Sequence, residues 1–347
     1  MTPDPVERYL SRSRRLQGRT VLRPMAGGEL LDESLALYRQ AALGLLVPLL
    51  VPVLVMVVAE KFVTDYVLVR FFETQNQSSL GTQMGEFMTN VALALFAAAP
   101  VWIIAISFGS ALTVRKVGWT LLGRPFDDTE AARDAQRVLP SLIWASIRIA
   151  LLSVIGFLIS GAFMLGGGVI YGSTSDSSPL AGLVALVGIF GLILGFLWFL
   201  FVAGRFGLIA PAAVLEGLRG RVLTKRVIAL TKGEGRRSGA AGSVLSLVVT
   251  ASLLDLLISG SLGTISEAFE IPVHAQEAIG GLLGEAVRGA LEMLPGFLSL
   301  LLVLPFFTIA ITVLYFERRV RVEGYDITAL AHDISPDRGS GGVRASG

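Results

Sequence analysis

The sequence predicts an all-α polytopic membrane protein: six transmembrane helices plus interfacial amphipathic helices, with both termini cytoplasmic. Three observations predict it. Mean hydropathy is +0.69, and 53% of the residues are apolar while only 16% are charged. That is too little charge to cover the surface of a soluble chain this long. Several apolar runs also reach the ~20 residues that cross a ~30 Å hydrocarbon core as helix. A β-barrel would instead alternate over segments of about ten residues. Finally, 25 of the 29 Lys and Arg residues fall in four stretches: the N-terminus, the second and fourth gaps between apolar runs, and the C-terminus. Basic residues flanking spans stay on the cytoplasmic side, which sets six crossings with both ends inside.

Residues 1–27 read as a basic cytoplasmic segment with no apolar h-region, so no cleavable signal peptide is expected. Residues 28–331 form the six-helix membrane domain. Its opening, Gly28 to Ala42, sets Leu30, Leu31, Leu35, Leu37 and Tyr38 near helical spacing with charges between them. It reads either as an amphipathic helix on the inner surface or as the first turns of span one. Span one is about 43–59, kinked by Pro48 and Pro52. The first gap is acidic on balance, and its sub-segment 62–72 is apolar enough to lie at the headgroups. Span two is about 91–114, interrupted by Pro100.

In the second gap, Asp127 or Asp128 can cap a helix running toward Val138. Apolar sequence then continues to Tyr171, too long for one perpendicular crossing at ~1.5 Å per residue. Span three is placed at about 149–171, with 139–147 as an interfacial lead-in. The short polar gap GSTSDSSP predicts a hairpin between spans three and four, the latter at about 180–203. In the fourth gap, Pro211 and Gly217 break the chain, and residues 222–231 form a basic interfacial helix. Span five is about 240–262. The fifth gap carries an outer amphipathic helix over 275–291. Span six is about 294–316, interrupted by Pro295 and Pro305. Residues 332–347 read as a disordered tail.

Cysteine is absent, which removes disulfides, thiolate metal sites and a Cys nucleophile. The net charge of +2 is read as topogenic, with no nucleic-acid partner expected. Arg exceeds Lys by 25 to 4, a bias that suggests a high-GC bacterium and hence its inner membrane. His274 has Glu270 and Glu277 at i−4 and i+3, which reads as an ordinary loop histidine; no metal or cofactor is expected.

Two charges fall in or near the spans. Arg148 starts span three and is expected to snorkel to the inner headgroups. Asp255 sits roughly 20 Å along span five, where a carboxylate needs a partner, water or a raised pKa. It reads either as a transport or relay group or as a buried structural acid, with Thr250, Ser252 and Ser259 nearby. Spans three and four are glycine-rich, and Gly191-Leu-Ile-Leu-Gly195 is a GxxxG that suits close packing within the hairpin or a homo-oligomer face.

The most distinctive text is the fourth gap and the segment after span six, YFERRVRVEGYDITALA. Together they offer a cytoplasmic network of Glu216, Arg226, Lys232, Tyr315, Arg319, Arg321, Glu323, Tyr325 and Asp326. Three blocks carry a resemblance. They are Leu30 to Arg39 (LLDESLALYR), then Ala210-Pro211 with Glu216-Gly217-Leu218, Lys225-Arg226 and Leu230-Thr231-Lys232-Gly233, and finally Leu314 to Asp326 (LYFERRVRVEGYD). Over residues 28 to about 331, the chain resembles the six-span membrane domain fused to some bacterial glycerophosphodiester phosphodiesterases, and its stand-alone relatives. Two positions depart from that pattern: Glu317 stands where Asp is usual, and Val227 where Ser is usual. In that family the phosphodiesterase activity belongs to a separate soluble barrel, for which this chain has no room, so catalysis is not carried over with the likeness.

No catalytic constellation stands out. The expected function is therefore that of a non-enzymatic integral inner-membrane protein. Its basic cytoplasmic face would bind anionic lipid headgroups or a protein partner. The alternative is a small-solute or lipid transporter with Asp255 as an intramembrane ion or proton site.

Overall fold

The structure, a computed structural model, describes residues 25, 27–74, 80–121, 128–173, 179–232 and 240–324. These form nine helices: α1 Gly27–Thr74, α2 Leu80–Leu121, α3 Asp128–Ser173, α4 Pro179–Phe206, α5 Ile209–Glu216, α6 Gly220–Lys232, α7 Ala240–Ala268, α8 Ile271–Ile279 and α9 Gly281–Glu323. No strand occurs among the described residues. Among the described residues, six stretches are long and apolar enough to cross a membrane: Gly44–Asp65, Phe96–Leu121, Thr129–Gly156, Ile193–Glu216, Ser243–Ala268 and Gly281–Glu323. Helix is the form that apolar sequence must take in lipid, because it satisfies every backbone N–H and C=O within the segment. The chain is thus an all-α, multi-pass membrane protein. The expected tail, most of the N-terminal segment and the turn between spans three and four lie outside the described residues.

The helices outrun the expected spans. α1 passes through Glu60, Lys61 and Asp65 without a break, and α3 runs unbroken from Asp128, so its lead-in is not a separate element. Charged side chains mark where a helix leaves the hydrocarbon, but they are not helix breakers. The first turns of α1 likewise continue directly into span one. Leu30, Ser34 and Leu37 are buried, and the Tyr38 ring meets Phe306 of α9 edge-on at 6.3 Å. The apolar stripe of this segment packs on the bundle.

The outer helix expected over 275–291 is instead divided. Gly280 and Gly281 adopt φ of 69° and 58°, a region open to glycine, and they separate α8 from α9. Helix α6 matches the expected basic helix, but its apolar side is not available to lipid. Leu223, Val227 and Leu230 are almost fully buried in the core shared with α5, α7 and α9.

Two close approaches fix the layout. In the α3–α4 hairpin, Trp198 Nε1 donates to the Leu152 carbonyl at 2.8 Å, and a Cβ on Gly156 would lie 2.5 Å from the Trp198 ring. Gly191 and Gly195 are buried within the chain. In α1, Pro48 has no N–H to offer the Gly44 carbonyl four residues earlier, and the buried Lys116 of α2 donates to that carbonyl instead.

Packing is uneven along the bundle. Short α5 touches α2, α3, α6 and α9 at one end, and the main core gathers there around Leu208, Ala212, Val227, Ile309 and Tyr315. Toward the other end α7 exposes Leu253, Leu256, Leu257 and Ile265, an apolar surface suited to lipid.

Candidate functional site

The dense end is built from the C-terminal ends of two helices and the middle of a third. Helix α5 stops at Glu216 because Gly217 takes a left-handed φ of 65°, a conformation that ends helices. Helix α6 then returns alongside it and presents Arg226. The last turns of α9 set Tyr315, Arg319 and Glu323 four residues apart on one face.

These groups meet. Arg226 donates to both Glu216 carboxylate oxygens, with Nε to Oε2 at 2.8 Å and Nη2 to Oε1 at 2.7 Å. It also pairs with Glu323, Nη2 lying 3.0 Å from Oε2. The Tyr315 hydroxyl donates to Glu216. Arg319 Nε stands 3.1 Å from Glu323 Oε2 and 3.6 Å from Glu216 Oε1, with its guanidinium 6.0 Å from the Tyr315 ring centre. Two carboxylates therefore face two guanidiniums, and α5, α6 and α9 are tied by a charge-neutral knot. Glu216 keeps 15% of its side-chain exposure and Arg226 26%, so water screens the knot only in part. The hydrogen bond to Glu216 holds the Arg226 proton more tightly than in a free guanidinium, against the opposing pull of burial.

Arg321 does not join this knot. It pairs with Glu317 one turn back, Nη2 to Oε1 at 2.5 Å, and donates to the Met25 carbonyl at 3.2 Å. The described N-terminal and C-terminal residues therefore meet at the same end. Arg318, which lies outside the predicted network, is buried with its Nε 3.2 Å from Glu317 Oε2. That approach is misaligned for a hydrogen bond, but it pairs the two charges. A cavity of about 560 Å³ adjoins them, edged by Ser243 and Ser246 of α7. A further clamp that the sequence does not reveal joins Arg115 of α2 to Asp134 of α3; Arg115 donates as well to the Val214 carbonyl of α5 at 3.3 Å. The Lys232 side chain, Tyr325 and Asp326 lie outside the described residues.

The two intramembrane charges are far apart in role. Arg148 stacks over Trp144 at 5.2 Å and edges a pocket shared with Arg221 and Lys225 of α6, a grouping that spacing in the sequence could not reveal. Asp255 is held by Ser299 of α9, whose hydroxyl donates to Oδ1 at 2.6 Å. Lys61 bridges Asp65 and Glu292 at 2.9 Å each, joining α1 to α9. His274 Nδ1 lies 2.9 Å from the Glu270 carbonyl oxygen.

Comparison with protein-family models, with curated proteins and with solved structures gives no match.

Proposed function

We propose that this is a non-enzymatic integral protein of a bacterial inner membrane, multi-pass, with both termini in the cytoplasm. Its ordered basic face would bind anionic lipid headgroups or a protein partner. The observation that carries the reading is the neutral knot of Glu216, Arg226, Arg319, Glu323 and Tyr315. It sits where the C-terminal ends of α5 and α9 meet the middle of α6, at the end where the described chain ends meet. A self-neutralised network of this kind adds little net attraction for a ligand; it fixes a surface on which other charges are displayed. Kinship with the membrane domain of glycerophosphodiester phosphodiesterases belongs to the proposal too, and rests on the three sequence blocks alone.

The test is double. The native chain has no cysteine, so single cysteines placed at Ser340 and at Gln276 report sidedness by labelling with an impermeant maleimide. The Ser340→Cys position should be protected in intact cells and the Gln276→Cys position labelled; the reverse would overturn the orientation. Charge reversal at Arg319 and Arg321 should then lower abundance or partner capture, and wild-type abundance with unchanged pull-downs would count against the face as a working surface.

One observation favours a second reading, solute or lipid transport through Asp255: its carboxylate lies within an apolar helix and is held from α9 by the Ser299 hydroxyl at 2.6 Å. Uptake into proteoliposomes that disappears in Asp255→Asn would select this reading over the first.

A further inference from the structure

Several of the cations at the dense end are neutralised by neighbours. Arg115, Arg226, Arg318, Arg319 and Arg321 each face a carboxylate. Arg148, Arg221 and Lys225, like Arg205 and Arg219, make no ion pair among the described residues. All three are exposed, and all three edge one cavity of about 280 Å³. Arg221 and Lys225 lie four residues apart on α6 and so project from the same side of the helix, where like charges repel. Arg148 brings a third positive charge to them from α3. No acidic residue among the described ones lines the cavity to relieve this crowding.

The rest of the cavity is mostly of opposite character. Its other walls are Ala145, Ile149 and Leu152 of α3, Phe206 at the end of α4, Ile209 of α5 and Thr224 of α6, whose hydroxyl donates to the Gly220 carbonyl at 3.2 Å. A site for a free phosphate would surround the anion with donors; this one joins three exposed cations to a largely apolar slot. The slot runs between the α3–α4 hairpin and α6. Trp144, beneath the Arg148 guanidinium, is 54% exposed, as suits an indole at the membrane–water interface.

We infer that this cavity is a binding site for one anionic glycerophospholipid. Its phosphate is held between Arg148, Arg221 and Lys225, and part of one acyl chain lies along Ile149, Leu152 and Phe206. A zwitterionic lipid would bring its own cation against three others, so the site discriminates by headgroup charge. Because the apolar stripe of α6 is spent on the core, the helix recognises lipid through its basic side and not by lying in the bilayer. This assignment rests on the reading of the dense end as a lipid-binding face, and it names where on that face binding occurs.

The experiment uses the full chain, delipidated in detergent and incubated with mixed micelles carrying equal amounts of phosphatidylglycerol and phosphatidylcholine. Retained lipid is counted by native mass spectrometry. The wild type should keep phosphatidylglycerol selectively. Each cation near a membrane surface contributes about fivefold, so Arg148→Gln/Arg221→Gln/Lys225→Gln should lose roughly 100-fold in affinity. The charge-preserving set Arg148→Lys/Arg221→Lys/Lys225→Arg should keep most of the preference, and Arg133→Gln/Arg137→Gln, elsewhere on α3, should keep all of it. A triple Gln variant that still prefers phosphatidylglycerol overturns this site while leaving the lipid-binding face standing. Equal losses in the triple Gln and the Arg133/Arg137 variants would reduce the effect to overall charge and overturn the site as well. A wild type with no headgroup preference would overturn both this site and anionic-lipid binding by the face.

Discussion

Replacing Arg226 with Gln tests whether the neutral knot is a set of coupled bonds or a crowd of charges. The side chain makes two good bonds to Glu216, at 2.7 and 2.8 Å, and reaches Glu323 at 3.0 Å. Charge-assisted bonds contribute roughly 1.5–3 kcal/mol each when shielded. Both partners here keep a fraction of their exposure, and solvent screening cuts such values by about half. Arg226→Gln should therefore cost about 2–3 kcal/mol, part of it from a Glu216 left with only Tyr315 and the more distant Arg319. Glu216→Gln should cost about 1–2 kcal/mol by the same argument. The double variant should be less damaging than the sum by about 1–2 kcal/mol, the coupling energy of the pair. Reversible unfolding in mixed detergent and SDS micelles, followed by far-ultraviolet circular dichroism, measures all four proteins. Additivity within about 0.5 kcal/mol would refute the direct coupling, because contacting residues do not add in that way.

Gly156→Ala should destabilise the hairpin by about 1–3 kcal/mol, since the new methyl group would stand 2.5 Å from the Trp198 ring and push the indole off its bond to Leu152; the shift in the same SDS midpoint measures it. Leu223→Ala should cost about 2–4 kcal/mol by opening a cavity under α6, and should raise the rate of native-state trypsin cleavage at Lys225 and Arg226. Ser299→Ala should cost about 1 kcal/mol or more by removing the donor to Asp255, with little change in Asp255→Asn, which keeps an acceptor; equal midpoints for wild type and Ser299→Ala would deny the bond any structural weight.

The sequence carries the composition of each span well, because burial in lipid demands an apolar run whatever the packing. It carries the contacts of α9 with itself for a similar reason: Glu317 with Arg321 and Arg319 with Glu323 are four residues apart, and helical periodicity alone brings them together. Contacts between helices are legible only in part. Glu216 and Arg226 stand out in the text, but their meeting depends on the turn at Gly217, and the bond of Arg226 to Glu323 on where α9 ends. Arg148 reads as a lone snorkelling residue because nothing in a linear chain places α6 beside α3. Helix ends are misjudged where charge is taken as punctuation, as at Glu60 and Lys61. A true break at Gly280-Gly281 escapes the helical spacing around it, although the glycine pair is there to be read.

The uneven packing has a mechanical consequence. One end of the bundle is clamped by the core around α5, by the knot and by the Arg115–Asp134 link, while the far half of α7 turns bare leucines outward. A bilayer that thins or thickens loads every helix alike, at a fraction of a kcal/mol per Å of mismatch. The clamped end should yield less than the rest, where the Lys61–Glu292 bridge and the Ser299 bond to Asp255 are the main polar ties between helices, so a change of thickness should be taken up mainly there.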